Sequence, residues 1–223
     1  MSYSKKLLVF DLDGTLIDSA KDISSAVNRT LKKYKSIELP EELIRRHIGE
    51  GLRSLVFDFF KEEKAQDPEK YEWIENDFLK IYEEEMYNHT KVYPGVRDFL
   101  FENSIPRAIL TNKNELLAKK VLHHLDLMDF GWVRIVGGDT YPEKKPSALP
   151  LKEIYSALGL NSEDVVMIGD GIPDVGVAQS CGIHCFGVSY GYTDSQKLRA
   201  LGAHEIIDHI HELDDLLIPP PKK

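Results

Sequence analysis

The sequence predicts an α/β fold, with a parallel sheet built from strand–helix units and a helical block inserted after the first strand. Residues 7–10 are four consecutive apolar residues, a run typical of a strand buried on both faces of a parallel sheet. Apolar runs also lie at 108–110 and 165–168, separated by segments of helical periodicity. Between residues 19 and 89, apolar residues recur at helical spacing, and we expect no strand there.

Composition narrows the class of protein. The chain has 223 residues, 42% of them hydrophobic and 29% charged, which is typical of a soluble globular protein. Its net charge of −9, without a stripe of basic residues, argues against nucleic acid and anionic membranes as partners. No apolar run approaches the length of a membrane span or of a signal peptide's core. We therefore expect a cytoplasmic protein, as a monomer or homodimer.

The inserted block follows the first strand directly. Ser19 is a candidate N-cap for a helix that continues to about residue 34, with Asp22 as its partner three residues on. Further helices are predicted from Pro40, over 52–64 and over 69–87, and a turn at 93–95 returns the chain to the sheet. The predicted organisation is a core of residues 1–17 and 90–218, a helical cap of residues 18–89, and a disordered tail of residues 219–223.

The rest of the core alternates helices and strands, which predicts βαβ units. The predicted helices span 96–102, 114–125, 146–158 and 173–180, the predicted strands 107–112, 133–136, 165–170 and 182–187, and a helix–strand–helix unit spans 195–217.

Polar side chains cluster where the predicted strands end. Asp11 follows the first strand, and Asp170 follows the strand that begins at Val165. Thr111 and Asn112 end the strand between them in sequence. The carboxyl ends of parallel strands form the edge at which α/β proteins bind ligands, so these groups are expected to line one site. Two carboxylates one residue apart also suit a hard cation, which could use the side chain of Asp11 and the main-chain carbonyl of Asp13.

Residues 11–16, DLDGTL, resemble the first motif of the haloacid dehalogenase-like (HAD) superfamily of Mg²⁺-dependent phosphatases and phosphomutases. The ordered set D-x-D-G-T, T-N, K-P and G-D-x-x-x-D resembles its four motifs and covers nearly the whole chain. The resemblance implies a Rossmann-like core with an α-helical cap, Mg²⁺ as cofactor and a small-molecule phosphate ester as substrate. It also implies hydrolysis through an aspartyl-phosphate intermediate.

The same resemblance implies roles for the strand-end residues. Asp11 is the expected nucleophile and Asp13 the general acid and base. Thr111, Asn112 and Lys145 are expected to bind the phosphoryl oxygens.

Mg²⁺ is expected to bind the carboxylate of Asp11, the carbonyl of Asp13 and Asp170. Asp174 is expected to support the site by holding either Lys145 or a metal-bound water.

The cap lies between the first and second motifs, as in the subfamily with a helical cap after the first strand. Residues 48–51, 92–96, 111–113 and 136–139 resemble those of phosphoglycolate phosphatases. Gly171 and Ser147 depart from their usual pattern, so a sugar phosphatase, a pyrophosphatase or a β-phosphoglucomutase-like phosphomutase stays open. A catalytically idle binding protein is the least favoured alternative, because all the catalytic groups are present. The cap residues expected to face the substrate are Gly49, Gly51 and Arg53.

Overall fold

A computed structural model describes residues 3–218, and its central feature is a six-stranded parallel sheet. In chain order the strands are β1 (Tyr3–Ser4), β2 (Leu7–Phe10), β3 (Ile17–Asp18), β4 (Lys91–Val92), β5 (Arg107–Leu110), β6 (Trp132–Val136), β7 (Val165–Gly169), β8 (His184–Val188), β9 (Glu205–Ile207) and β10 (Leu217–Ile218). The main sheet has the order β6-β5-β2-β7-β8-β9, and every pairing in it is parallel. The predicted α/β class is confirmed.

Helices connect these strands. They are α1 (Ala20–Lys35), α2 (Glu41–Arg45), α3 (Leu52–Gln66), α4 (Pro68–Glu85), α5 (Val96–Glu102), α6 (Glu115–His124), α7 (Ala148–Ser156), α8 (Ile172–Cys181), α9 (Ser195–Ala200) and α10 (Glu212–Leu216). Within residues 3–218, no helix combines the length and the apolar composition that crossing a membrane would need.

Apolar clusters cover both faces of the sheet. Because successive side chains of a strand point in opposite directions, each strand contributes to both clusters. On β2, Leu8 and Phe10 join the apolar cluster that includes Phe99 of α5. Leu7 and Val9 join the cluster on the other face, beneath α7 and α8. This two-sided burial explains why β2 is uniformly apolar, and it holds the end of the strand rigidly in the centre of the molecule.

Helices α1 to α4 form most of a third apolar cluster, to which Leu117 of α6 also belongs. Phe60 of α3 and Phe78 of α4 are fully buried in it. The two connections to the sheet run side by side as the antiparallel pair of β3 and β4, in which Ile17 lies opposite Val92. This separate cluster supports a cap domain. Its boundaries at residues 18 and 89 stay predictions, and the predicted tail 219–223 lies outside the described residues.

A buried carboxylate fastens the base of this helical block. Asp22 of α1 accepts hydrogen bonds at one oxygen from the backbone N–H groups of His89 and Thr90, at 2.9 and 2.8 Å. The hydroxyl of Thr90 donates to the same oxygen at 2.8 Å. Asp22 therefore ties the start of the block to its end.

Some local predictions were wrong. Ser19 precedes α1 as expected, but its side chain makes no capping hydrogen bond with the helix. Helix α7 begins at Ala148, two residues later than predicted, and β8 begins at His184. The four two-residue strands were not predicted, because two residues are too few to show a period.

Candidate active site

Three neighbouring strands deliver polar side chains to one edge of the sheet. Strand β2 lies between β5 and β7, so Asp11, which follows β2, lies between Thr111 and Asp170, which follow the other two strands. All three side chains are buried. The parallel pairing therefore brings together residues that are as far apart in sequence as Asp11 and Asp170.

The centre of this edge carries more acidic than basic groups. Carboxylate oxygens of Asp11, Asp170 and Asp174 lie within 4.8 Å of one another. The ammonium of Lys145 lies 2.8 Å from Oδ1 of Asp11 and 2.6 Å from Oδ1 of Asp174. One ammonium does not balance three buried carboxylates, so the cluster is suited to an additional cation.

The pKa values of these groups reflect that imbalance. Burial and the neighbouring Asp174 raise the pKa of Asp11 to about 7, against the opposing effect of Lys145. Burial, with Asp11 and Asp174, also raises the pKa of Asp170 well above its ordinary range. Burial lowers the pKa of Lys145, but the carboxylates of Asp11 and Asp174 raise it by more, so the lysine stays charged.

Asp170 is held in position from both sides. Its Oδ1 accepts a hydrogen bond from the hydroxyl of Thr15 at 3.0 Å, and its Oδ2 accepts one from the backbone N–H of Tyr192 at 2.8 Å. A Cβ atom at Gly14 would lie 2.3 Å from the Asp170 carboxylate, and one at Gly191 would lie 2.1 Å from its Cβ. Gly14 also has a φ of +84°, so glycine is required there for two reasons.

The position of Asp174 favours one of its two predicted roles. Its Oδ1 contacts Lys145, and its Oδ2 accepts a hydrogen bond from the backbone N–H of Gly171 at 2.8 Å. Both oxygens are engaged by protein groups. These contacts favour the predicted role of holding Lys145 over that of holding a metal-bound water.

The carboxylate of Asp13 lies between two donors from different parts of the chain. The ammonium of Lys113 is 2.9 Å from each of its oxygens, and the hydroxyl of Ser19 donates to Oδ1 at 2.5 Å. The sequence patterns predicted no role for Lys113, and for Ser19 only that of a helix cap. The position of Lys113 directly after Thr111 and Asn112, at a strand end, was the available signal.

A cleft lies above these groups. From the core it is lined by Asp11, Asp13, Thr111, Asn112 and Lys113, and from the helical block by Ile23, Ile48, Gly49, Gly51, Leu52 and Leu55.

Two of the three predicted cap residues reach this cleft. The side-chain amide of Asn112 donates to the carbonyl of Gly49 at 3.0 Å and to that of Lys145 at 3.1 Å. Gly51 has a φ of +89°, and a Cβ atom there would lie 2.6 Å from the Asn112 carbonyl. Close backbone approach therefore requires glycine at position 51, where the helical block meets the strand end.

The structure does not bring Arg53 to the cleft. Its side chain is 67% exposed, and its guanidinium pairs with Glu75 of α4. It lines a neighbouring groove together with Glu83 and Lys144. A role for Arg53 in substrate recognition stays a prediction that this arrangement does not favour.

The residues present fit a divalent cation with oxygen ligands. Asp11 and Asp170 offer carboxylate oxygens, the ligand type that Mg²⁺ takes, in a cluster whose negative charge is not balanced. Neighbouring hydrogen bonds fix the orientation of Asp170, as is typical of a metal ligand.

The family is shown by comparison with known proteins. The family model for haloacid dehalogenase-like hydrolases matches residues 8–188, and the chain belongs to this family.

Within the family, the chain is similar over nearly its whole length to phosphoglycolate phosphatases. The phosphoglycolate phosphatase of Chromobacterium violaceum is 39% identical over 217 residues, which cover 95% of this chain and 96% of that protein. The phosphoglycolate phosphatase of Neisseria meningitidis is 33% identical over 224 residues, covering 97% and 95%. A crystal structure of a predicted phosphoglycolate phosphatase from Haemophilus somnus 129pt superposes with a TM-score of 0.87 at 25% identity, covering 95% of this chain and 97% of that one.

Proposed function

We propose that this protein is a Mg²⁺-dependent phosphatase that hydrolyses a small phosphomonoester through an aspartyl-phosphate on Asp11. The observation that carries the proposal is the placement of Asp11. Its buried carboxylate lies at the floor of the cleft, beside the ammonium of Lys145 and within 4.8 Å of two further carboxylates. Phosphoglycolate is the favoured substrate, because the relatives that match nearly the full length of the chain are named for it.

In the first step, an Asp11 carboxylate oxygen attacks phosphorus and forms an acyl-phosphate bond. The bond between phosphorus and the leaving oxygen breaks, and Asp13 donates a proton to that oxygen, so the product leaves as an alcohol. Asp13 lines the same cleft as Asp11, and Lys113 and Ser19 hold its carboxylate there.

In the second step, water attacks the phosphorus of the acyl-phosphate while Asp13 takes its proton. The phosphorus–oxygen bond to Asp11 breaks, which releases inorganic phosphate and restores the carboxylate. One residue thus serves first as acid and then as base, since each step leaves it in the form that the next step needs.

Positive charge and hydrogen-bond donors stabilise the phosphoryl group during both steps. Lys145 supplies a fixed ammonium beside Asp11, and Thr111 and Asn112 supply donors at the end of β5. Mg²⁺, when bound by Asp11, the Asp13 carbonyl and Asp170, would supply further charge neutralisation for the phosphoryl oxygens. Asp174 holds Lys145 in place.

A phosphate-release screen across small phosphomonoesters, with and without Mg²⁺, tests the proposal. We expect release that requires Mg²⁺ and that is fastest with phosphoglycolate. Asp11→Asn should abolish turnover, because it removes the nucleophile and a metal ligand together. Asp129→Asn, at an exposed acid, is the matched control. An Asp11→Asn protein that keeps a tenth of wild-type turnover would contradict the mechanism.

The same screen separates the alternatives. A sugar phosphatase or a pyrophosphatase would release phosphate fastest from its own substrate. A β-phosphoglucomutase-like enzyme would isomerise a sugar phosphate without net phosphate release, and an idle binding protein would do neither. We further propose a cytoplasmic location and a monomeric or homodimeric state, which fractionation and sedimentation would measure.

A further inference from the structure

Tyr192 contacts Asp170 directly and is linked to Asp13 through Ser19. Its backbone N–H donates to Oδ2 of Asp170 at 2.8 Å. Its phenol oxygen accepts a hydrogen bond from the backbone N–H of Ser19 at 2.8 Å. The hydroxyl of that same serine donates to Oδ1 of Asp13 at 2.5 Å. One residue therefore connects the proposed metal site with the proposed acid and base.

The helical block holds Tyr192 in turn. The guanidinium of Arg45, the last residue of α2, lies 4.9 Å from the centre of the Tyr192 ring. Its Nη2 atom donates to the carbonyl of the preceding residue, Gly191, at 3.1 Å. Both contacts fall on the segment that supports Asp170, and both depend on where the helical block lies relative to the core.

Gly191 joins this segment to Asp170 by close packing. A Cβ atom on Gly191 would lie 2.1 Å from the Cβ of Asp170, so the backbone of Gly191 packs directly against the Asp170 side chain. Ser19 lies at the other end of the connection, between β3 and α1, where the chain leaves the core. The contacts of Tyr192 thus span the junction between core and helical block.

We propose that Tyr192 is a positioning residue that fixes Asp170 and Asp13 together, and that Arg45 makes this arrangement depend on the position of the cap. The proposal rests on the proposed phosphatase function. When the cap moves away, Arg45 leaves the ring and the Gly191 carbonyl, and both carboxylates lose their fixed orientation. Catalytic geometry is then complete only with the cap in the position seen here.

The test uses two conservative variants with matched controls. Tyr192→Phe removes the phenol oxygen but keeps the ring and the backbone donor, and Arg45→Met removes the guanidinium. Tyr34→Phe and Arg29→Met are the controls, since their polar atoms contact Asp77 and Glu85 on the cap surface. Thermal unfolding of each variant reports its folding.

For Tyr192→Phe we expect a loss of about 5–10-fold in kcat on alkyl phosphates, the size of one well-placed hydrogen bond. Its Mg²⁺ dissociation constant, measured by calorimetry without substrate, should stay within about twofold of wild type, because the donor to Asp170 remains. Arg45→Met should weaken Mg²⁺ binding by about 3–10-fold and also lower kcat. The double variant should lose less in kcat than the product of the two single losses, since both act through one residue.

Wild-type kcat in Tyr192→Phe, wild-type Mg²⁺ affinity in Arg45→Met, or single losses that multiply would each overturn the proposal. Because the Arg45 side chain is partly exposed, we expect Arg45→Met to fold. The proposal can therefore be tested even if Tyr192→Phe does not fold. Failure of the proposed function has a different signature, in which the wild-type protein releases no phosphate. The calorimetric comparison of wild type with Arg45→Met would then still report whether Arg45 acts on Asp170.

Discussion

The ammonium of Lys113 lies 2.9 Å from each carboxylate oxygen of Asp13, 100 residues earlier in the chain. The lysine side chain is buried, and its Nζ lies 4.9 Å from the ring centre of Tyr82, a residue of the helical block. Lys113 is therefore enclosed by the strand ends and the helical block together. It gives the proposed acid and base a fixed ionic partner, which the sequence patterns did not indicate.

Lys113→Met should lower kcat by about 10–100-fold, because a hydrogen bond to a charged group contributes about 1.5–3 kcal/mol and each 1.4 kcal/mol is a factor of ten. Steady-state kinetics with phosphoglycolate and Mg²⁺ would measure the loss. Lys119→Met, at an exposed lysine of α6 paired with Glu115, is the control and should keep wild-type kcat. Equal values for the two variants would show that Lys113 does not act on Asp13.

Asp13→Asn should slow the reaction of alkyl phosphates far more than that of p-nitrophenyl phosphate, whose phenolate leaves without needing a proton. General acid–base assistance is typically worth about 10²–10⁴-fold, so the contrast should be clear in the phosphorylation step. Single-turnover measurements with both substrates isolate that step. Equal losses for the two would reject Asp13 as the acid.

Arg53→Ala tests the cap residue that the structure leaves outside the cleft. If Arg53 binds the substrate carboxylate through a charge-assisted pair, the variant should lower kcat/KM for phosphoglycolate and leave p-nitrophenyl phosphate hydrolysis nearly unchanged. The exposed pairing with Glu75 instead predicts wild-type kcat/KM for both substrates, and this is the result we expect. A selective loss for phosphoglycolate would restore the assignment made from the sequence.

Asp22→Ala should lower the free energy of unfolding by about 2–4 kcal/mol, because the buried Thr90 loses the acceptor for both its N–H and its hydroxyl, and each such loss costs about 1–3 kcal/mol. Urea unfolding of the metal-free protein would measure it. Asp77→Ala removes a more exposed carboxylate of the cap that pairs with Lys33, and it should cost about 1 kcal/mol or less. If the two variants are equally stable, Asp22 does not fasten the base of the helical block.

The sequence by itself determined the sheet, the helical insertion and the strand ends that carry Asp11, Thr111 and Asp170. These features rest on local signals: apolar runs mark strands buried on two faces, and a period of three to four residues marks helices. Because parallel strands end at one edge, the convergence of these side chains followed from the predicted topology. The sequence alone therefore indicated which of these side chains lie together.

Only the tertiary structure decided which groups orient these carboxylates. Thr15 contacts Asp170 across 155 residues and Tyr192 contacts Ser19 across 173, and no local pattern encodes a pairing at such separations. The direction of Arg53 was decided in the same way, by a partner on the next helix rather than by its place beside Gly51. Local periodicity fixes where an element begins and which face it buries, whereas the partner of a long polar side chain depends on how separate elements pack together.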